Sequence, residues 1–211
     1  MKRLIVYCEG PTEEQFVTAV LAPYLWKMNV SAAPKGAGGV SRYNIIKKDL
    51  IRLCKGDPTA TITTMLDYYG LPSDTQGVAN ATGTLYEKAQ HIERTVEEDL
   101  GNLDNLLFNL TVHEHEGLLF ARTSAFDGIA NEKQLAELQN ICDSFETPEH
   151  INDSFDTSPS KRIEKIIPGY SKVNDGTKVA LNIGIDGISA KCKHFDRWIK
   201  KLTTWAKEGA Q

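Results

Sequence analysis

Five apolar residues, Leu4-Ile5-Val6-Tyr7-Cys8, run unbroken into Glu9-Gly10-Pro11 and then into a helical pattern. That opening constrains the fold more than any other stretch. A short continuous run of β-formers is what a strand buried on both faces requires. Glu9-Gly10-Pro11 is a turn signal. Thr12 and Gln15 have the spacing of a capping box, and Phe16, Val17, Val20, Leu21 and Leu25 recur at helical intervals. The chain therefore opens strand, tight turn, helix.

The same alternation continues. Met28 to Pro34 reads as a second strand, followed by a flexible Gly36–Gly39 loop. Ile45 to Lys55 reads as a helix with Ile46, Leu50 and Leu53 on one face, and Ala60 to Leu66 as a third strand ending at Asp67-Tyr68-Tyr69-Gly70. Pro72 to Gly83 has loop composition. Thr84 to Leu100 is an acidic amphipathic helix, Asn105 to Val112 a fourth strand ending at His113-Glu114-His115-Glu116, and Gly117 to Ala121 the start of another helix. Strands alternating with helices predict an α/β fold, a parallel sheet of about four strands flanked by helices, over residues 1–145. From Glu146 to Ser160 the chain is polar and reads as a linker. Residues 146–211 then form a mainly helical C-terminal extension packed on the sheet domain. Phe195, Trp198, Leu202 and Trp205 at helical spacing are core positions of that extension.

Composition narrows the setting. The 211 residues are 41% hydrophobic and 25% charged, ordinary for one globular domain with an appendage. A net charge of −4 does not suit a protein that coats nucleic acid nonspecifically, although local patches outweigh the sum. Between Ser160 and Lys201 ten Lys or Arg face four Asp or Glu, so the tail is locally basic. The apolar start ends too soon at Glu9 for a secretory leader, and no stretch approaches the roughly 18 apolar residues of a membrane helix. Cys8, Cys54, Cys142 and Cys192 lack CxxC spacing and read as reduced, mostly buried thiols. The expectation is a cytoplasmic protein with no membrane association.

The chemistry is expected beyond the carboxyl ends of the strands, where open parallel sheets bind ligands. Acidic residues stand at three such ends: Glu9, Asp67, and Glu114 with Glu116. Glu13 lies in the first turn of the helix after Glu9. Singly, each has a bland reading: Glu13 complements a helix dipole, and Asp67 is a turn residue. Jointly, clustered carboxylates repel and lose hydration, so a hard cation normally neutralises them. Two metals so held would orient a phosphodiester and activate a water. His113 and His115 with Cys192 and His194 are a possible zinc set, but i and i+2 residues of an extended chain face opposite ways and cannot all converge. In the tail, Lys161, Arg162, Lys165, Lys172, Lys191 and Lys193 offer phosphate contacts, or simply a solvated helix face.

Val6 to Glu13 resembles the opening motif of Toprim domains, and more closely that of the Toprim half of OLD-family (overcoming-lysogenization-defect) nucleases. The whole chain also resembles a bacterial family labelled a domain of unknown function, through EGPTE at Glu9–Glu13, LDYYGLP at Leu66–Pro72, HEHEGLLFA at His113–Ala121, PSKRI at Pro159–Ile163 and CKHFDRW at Cys192–Trp198. By that resemblance Glu9 matches the glutamate after the first Toprim strand, Glu13 the second glutamate of OLD-type members, and Asp67 the first aspartate of the Asp-x-Asp pair. Glu116, with Glu114 beside it, matches the acidic position after the fourth strand. Tyr69 stands where the second aspartate of the pair belongs.

The resemblance implies a Toprim-like fold, Mg²⁺ or Mn²⁺ as cofactor, and nuclease activity on DNA or RNA. It also implies a lysine near the scissile phosphate, with Lys161 and Lys191 as candidates. It implies an anti-phage or DNA-processing setting with an AAA/ABC-type ATPase partner, since Gly36–Gly39 lacks the lysine of a phosphate loop. Two other readings stand beside the nuclease. One is a non-catalytic subunit that regulates or senses within an ATPase complex; the other is Mg²⁺-dependent phosphoryl transfer on small phosphates.

Overall fold

β1 (Lys2–Cys8) is the centre of the fold, flanked on one side by β2 (Val30–Gly36) and on the other by β3 (Ala60–Asp67). The computed structural model describes residues 1–39, 42–152 and 157–208; residues 153–156 of the expected linker lie outside them. Beyond β3 come two short pieces, β4 (Leu106–Leu107) and β5 (Leu110–Thr111), and the strand order is β2-β1-β3-β4 with every pairing parallel. The α/β architecture with helices on both faces is therefore as expected.

The chain reverses direction of travel across the sheet at β1. From β1 it moves to β2 through α1 (Pro11–Phe16), a π turn (Val17–Leu21) and α2 (Ala22–Trp26). It returns past β1 through α3 (Tyr43–Gly56) to β3, and reaches β4 through α4 (Leu85–Asp99). The topological switch point thus falls between β1 and β3, where helices leave to opposite faces and a crevice opens at the strand ends.

Side-chain alternation divides β1 between two cores. Leu4, Val6 and Cys8 join α1 and α2 on one face, whereas Tyr7 joins Ile46 and Leu50 of α3 and Ile92 and Val96 of α4 on the other. The first core also takes in α7 (Asn174–Ser189) and α8 (Lys193–Lys207), through Val179, Ile183, Phe195, Trp198 and Leu202. Residues after 146 therefore share a hydrophobic core with β1 and α1. Trp198 lies fully buried and donates its indole N–H to the Thr63 hydroxyl of β3 at 2.9 Å.

Three local expectations are corrected. The first helix is capped at Gly10, not at Thr12. Pro11, lacking an N–H, takes the first helical position, which brings Glu13 to the third; its carboxylate accepts from Gly10 N at 2.9 Å. The expected strand from Asn105 to Val112 is broken at Phe108–Asn109. There the Thr64 hydroxyl accepts from Asn109 N (2.8 Å) and donates to Asn109 O, substituting for ladder bonds. The register is unchanged across the break, Ile62 facing Leu106 and Leu66 facing Leu110. Finally, His115–Ala121 and Thr123–Phe126 are 3₁₀ segments instead of the start of an α-helix. His115 to Phe120 are all buried, so this stretch has no solvent face from which an amphipathic helix could be built.

The polypeptide continues through α5 (Glu132–Asp143) and α6 (Pro159–Ile166) before α7. Among the described residues no helix is long and apolar enough to cross a membrane.

Candidate functional site

Each strand end at the crevice carries a carboxylate. Glu9 follows β1 and is fixed by the chain opposite, its Oε2 accepting from Asp67 N at 3.0 Å. The turn after β3 passes close over it: a Cβ on Gly70 would lie 2.9 Å from Glu9 Oε1, so a larger residue there would displace the Glu9 carboxylate. Asp67 ends β3 with the same face parity as Thr63 and Met65, toward α1. Glu13 enters from α1, 6% exposed, held by its hydrogen bond to Gly10 N. Glu114 and Glu116 follow β5. Glu114 Oε2 accepts from Ser160 N at the start of α6 (3.2 Å), and Glu116, 4% exposed, lies 3.8 Å from the Lys172 ammonium.

Electrostatics make these five one cluster. Burial, together with Glu13, Glu9, Glu116 and Glu114, raises the Asp67 carboxyl well above its ordinary range. Burial, aided by Glu116 and Glu9, pushes Glu13 up to about 7 against its backbone hydrogen bonds. Burial and Glu114 also raise Glu9. Glu116 is raised by burial, with Lys172 opposing and Glu114 and Glu164 adding. Mutually raised carboxyls in a crevice are the electrostatic state that a bound cation relieves.

The donor chemistry suits a hard cation, and Asp67 Oδ1 is enclosed with no hydrogen-bond partner among the described residues. The carboxylates are not drawn around a common point, however. Among the described residues no group of three or more His, Cys, Asp or Glu is arranged so that it could hold a metal ion as it stands. The reason is local: Glu9, Glu13 and Glu114 each turn one oxygen to a backbone N–H.

The family model described as a domain of unknown function (DUF4276) matches residues 8–203. The chain belongs to the DUF4276 family. No curated protein and no solved structure matches it. The DUF4276 match spans all five motif segments, from EGPTE to CKHFDRW, and names no activity.

The motifs of this DUF4276 chain divide by role. EGPTE, LDYYGLP and HEHEG converge on the crevice, and PSKRI meets it through Ser160 N. Lys172 is a cation at the cluster, a residue that no spacing in the sequence singles out from its basic neighbours. Its ammonium also lies 4.0 Å from Glu164, which pairs with Lys161 at 3.0 Å. Lys161 is thus separated from Glu116 by Glu164 and Lys172. Lys191 lines a separate cavity of about 580 Å³ with Arg122, Thr123, Gln139 and Cys142.

CKHFDRW serves architecture. Glu149, 2% exposed, accepts from His194 N (3.0 Å) and Phe195 N (2.9 Å) at the start of α8, and His194 Nε2 lies 2.8 Å from Glu93 Oε1. The histidines scatter, as alternation along an extended chain requires. His115 packs edge-on to Phe16 at 4.8 Å, its pKa lowered to about 4 by burial, while His113 stacks on Tyr69. Cys192 is fully buried, and burial raises its thiol pKa well above the ordinary value.

Proposed function

We propose that the crevice at the ends of β1, β3 and β5 holds Mg²⁺ or Mn²⁺ and hydrolyses phosphodiester bonds in DNA or RNA. The observation that carries this reading is the set of five carboxylates at a topological switch point, with Glu9, Glu13, Asp67 and Glu116 raised by burial and by one another's charge and a lysine at their edge. The likeness of Val6 to Glu13 to the opening of Toprim domains supports it. Glu9, Glu13, Asp67, Glu114 and Glu116 would hold the metal, using Asp67 Oδ1 and the oxygens that Glu9, Glu13 and Glu114 do not commit to backbone N–H groups. Bound there, a divalent ion supplies Lewis acidity and a water activated near neutral pH. Lys172, beside Glu116, offsets the cluster's charge and favours the approach of a phosphate.

Cleavage of plasmid DNA, single-stranded DNA and tRNA, with Mg²⁺, with Mn²⁺ and with EDTA, tests the reading directly. Metal-dependent cutting is expected, and Glu9→Gln is expected to abolish it while keeping the melting temperature. Undiminished cutting by that variant removes the crevice from the chemistry.

Tyr69, occupying the place of a second aspartate, favours one other reading: a metal-binding but non-catalytic subunit of a complex with an AAA/ABC-type ATPase. Metal binding without cleavage, even with such a partner present, supports it over the nuclease.

A further inference from the structure

Tyr69 is a large ring left in water at the mouth of the carboxylate crevice. It is 60% exposed, and it lies two residues past Asp67. Its ring stacks almost parallel on the His113 imidazole, with centroids 4.7 Å apart and planes 10° from parallel. Tyr68 abuts it edge-on at 5.2 Å. His113 is itself 4% exposed and immediately precedes Glu114, so the stacked pair joins the β3 exit to the β5 exit across the rim.

Both sides of the platform are tied to the backbone around them. His113 is held at φ 65°, a left-handed conformation that residues with side chains seldom adopt and that persists only where the surroundings enforce it. The turn carrying Tyr69 is closed by Gly70 N donating to Asp67 O (3.1 Å) and is pressed against Glu9 at Gly70. Covering His113 would account for one face of the Tyr69 ring. It does not account for leaving 60% of the residue in water on a hydrogen-bonded turn.

We propose that Tyr69, backed by His113, is a stacking platform for an unpaired nucleobase beside the scissile phosphate, which makes single-stranded nucleic acid the preferred substrate. The inference rests on the nuclease reading above and deepens it. A planar ring with a stacked partner behind it accepts any base on its outer face, because every base has a π-face. A duplex keeps its bases stacked on one another and offers none. A neutral ring at this rim also adds no repulsion against an incoming polyanion to that of the carboxylates behind it.

Binding and cleavage are read separately. A short single-stranded oligonucleotide with an internal 2-aminopurine, in DNA and RNA versions, is titrated with the intact protein in Ca²⁺, beside the same strand annealed to its complement. Single strands of one or both sugars are expected to bind more tightly than the duplex, with the 2-aminopurine emission quenched on binding. Tyr69→Ala is expected to bind the single strand roughly tenfold more weakly and to lose the quenching, while Tyr69→Phe keeps both. Duplex binding stays the same in all three proteins. Unchanged single-strand affinity and quenching in a folded Tyr69→Ala overturns the platform but leaves the nuclease reading to its own cleavage assay. Absence of binding to any nucleic acid overturns both.

Discussion

Lys172 shows how far a residue's role depends on where the chain returns. In sequence it is one of ten lysines and arginines of a basic tail; in space its ammonium is 3.8 Å from Glu116. Lys191, which the resemblance put forward together with Lys161, lies in a different cavity. The two make a sharp comparison. Lys172→Met is expected to lower the rate of metal-dependent cleavage by about a hundredfold, the scale of losing one charge-stabilising donor at a reacting centre. Lys191→Ala should leave the rate unchanged. Single-turnover cleavage at saturating protein reads both, and a larger loss for Lys191→Ala would move the phosphate to the other cavity. Nothing short of tertiary structure chooses between them, because helical spacing constrains only neighbours on one element.

At the scale of elements, the strands and helices that carry the site were legible and their interruptions were not. The apolar runs at Leu4–Cys8 and Ala60–Leu66 are strands because both faces are buried, and the turns after them therefore put Glu9 and Asp67 at the crevice. The break in the last strand escapes periodicity, since it depends on side chains far away in sequence. Thr64 bonds Asn109 on one side, and on the other Glu97 and Glu93 of α4 accept from Phe108 N (2.9 Å) and Leu110 N (3.0 Å). Those glutamates read in sequence only as the acidic face of a helix.

Glu93 is the more heavily committed of the two. It is 2% exposed and also accepts from Arg197, with His194 Nε2 within hydrogen-bonding distance. Burial would raise its carboxyl, but His194, Arg197 and the Leu110 N–H together hold it below its ordinary value. Removing it strands several buried groups at once. Urea denaturation should find Glu93→Ala destabilised by about 3–5 kcal/mol. Glu97→Ala, half-buried and with one backbone partner, should cost about 1 kcal/mol. Equal losses would mean that the edge-strand bonds, and not the link to α8, dominate.

For the whole molecule, one crevice and one shared core have opposite electrical demands. The sheet, α1, α7 and α8 close around apolar side chains, and the same packing desolvates Glu9, Glu13, Asp67 and Glu116 at the crevice. Without metal the cheapest relief is protonation. Glu13, at about 7 in the folded protein against 4.5 for the free group, binds more protons folded than unfolded between those values. Its contribution to stability is therefore full below pH 4.5 and declines as pH rises through 7, by up to about 3 kcal/mol. In EDTA the melting temperature should fall by on the order of 5–10 °C from about pH 5 to about pH 8. Glu13→Gln keeps an acceptor for Gly10 N but cannot ionise, so its decline should be clearly smaller. Mn²⁺ should restore the wild type mainly at the higher pH, where it no longer competes with protons. A wild-type decline no steeper than that of Glu13→Gln, with Mn²⁺ stabilising at neither pH, would mean that Glu13 does not titrate in this range and that the crevice takes no cation.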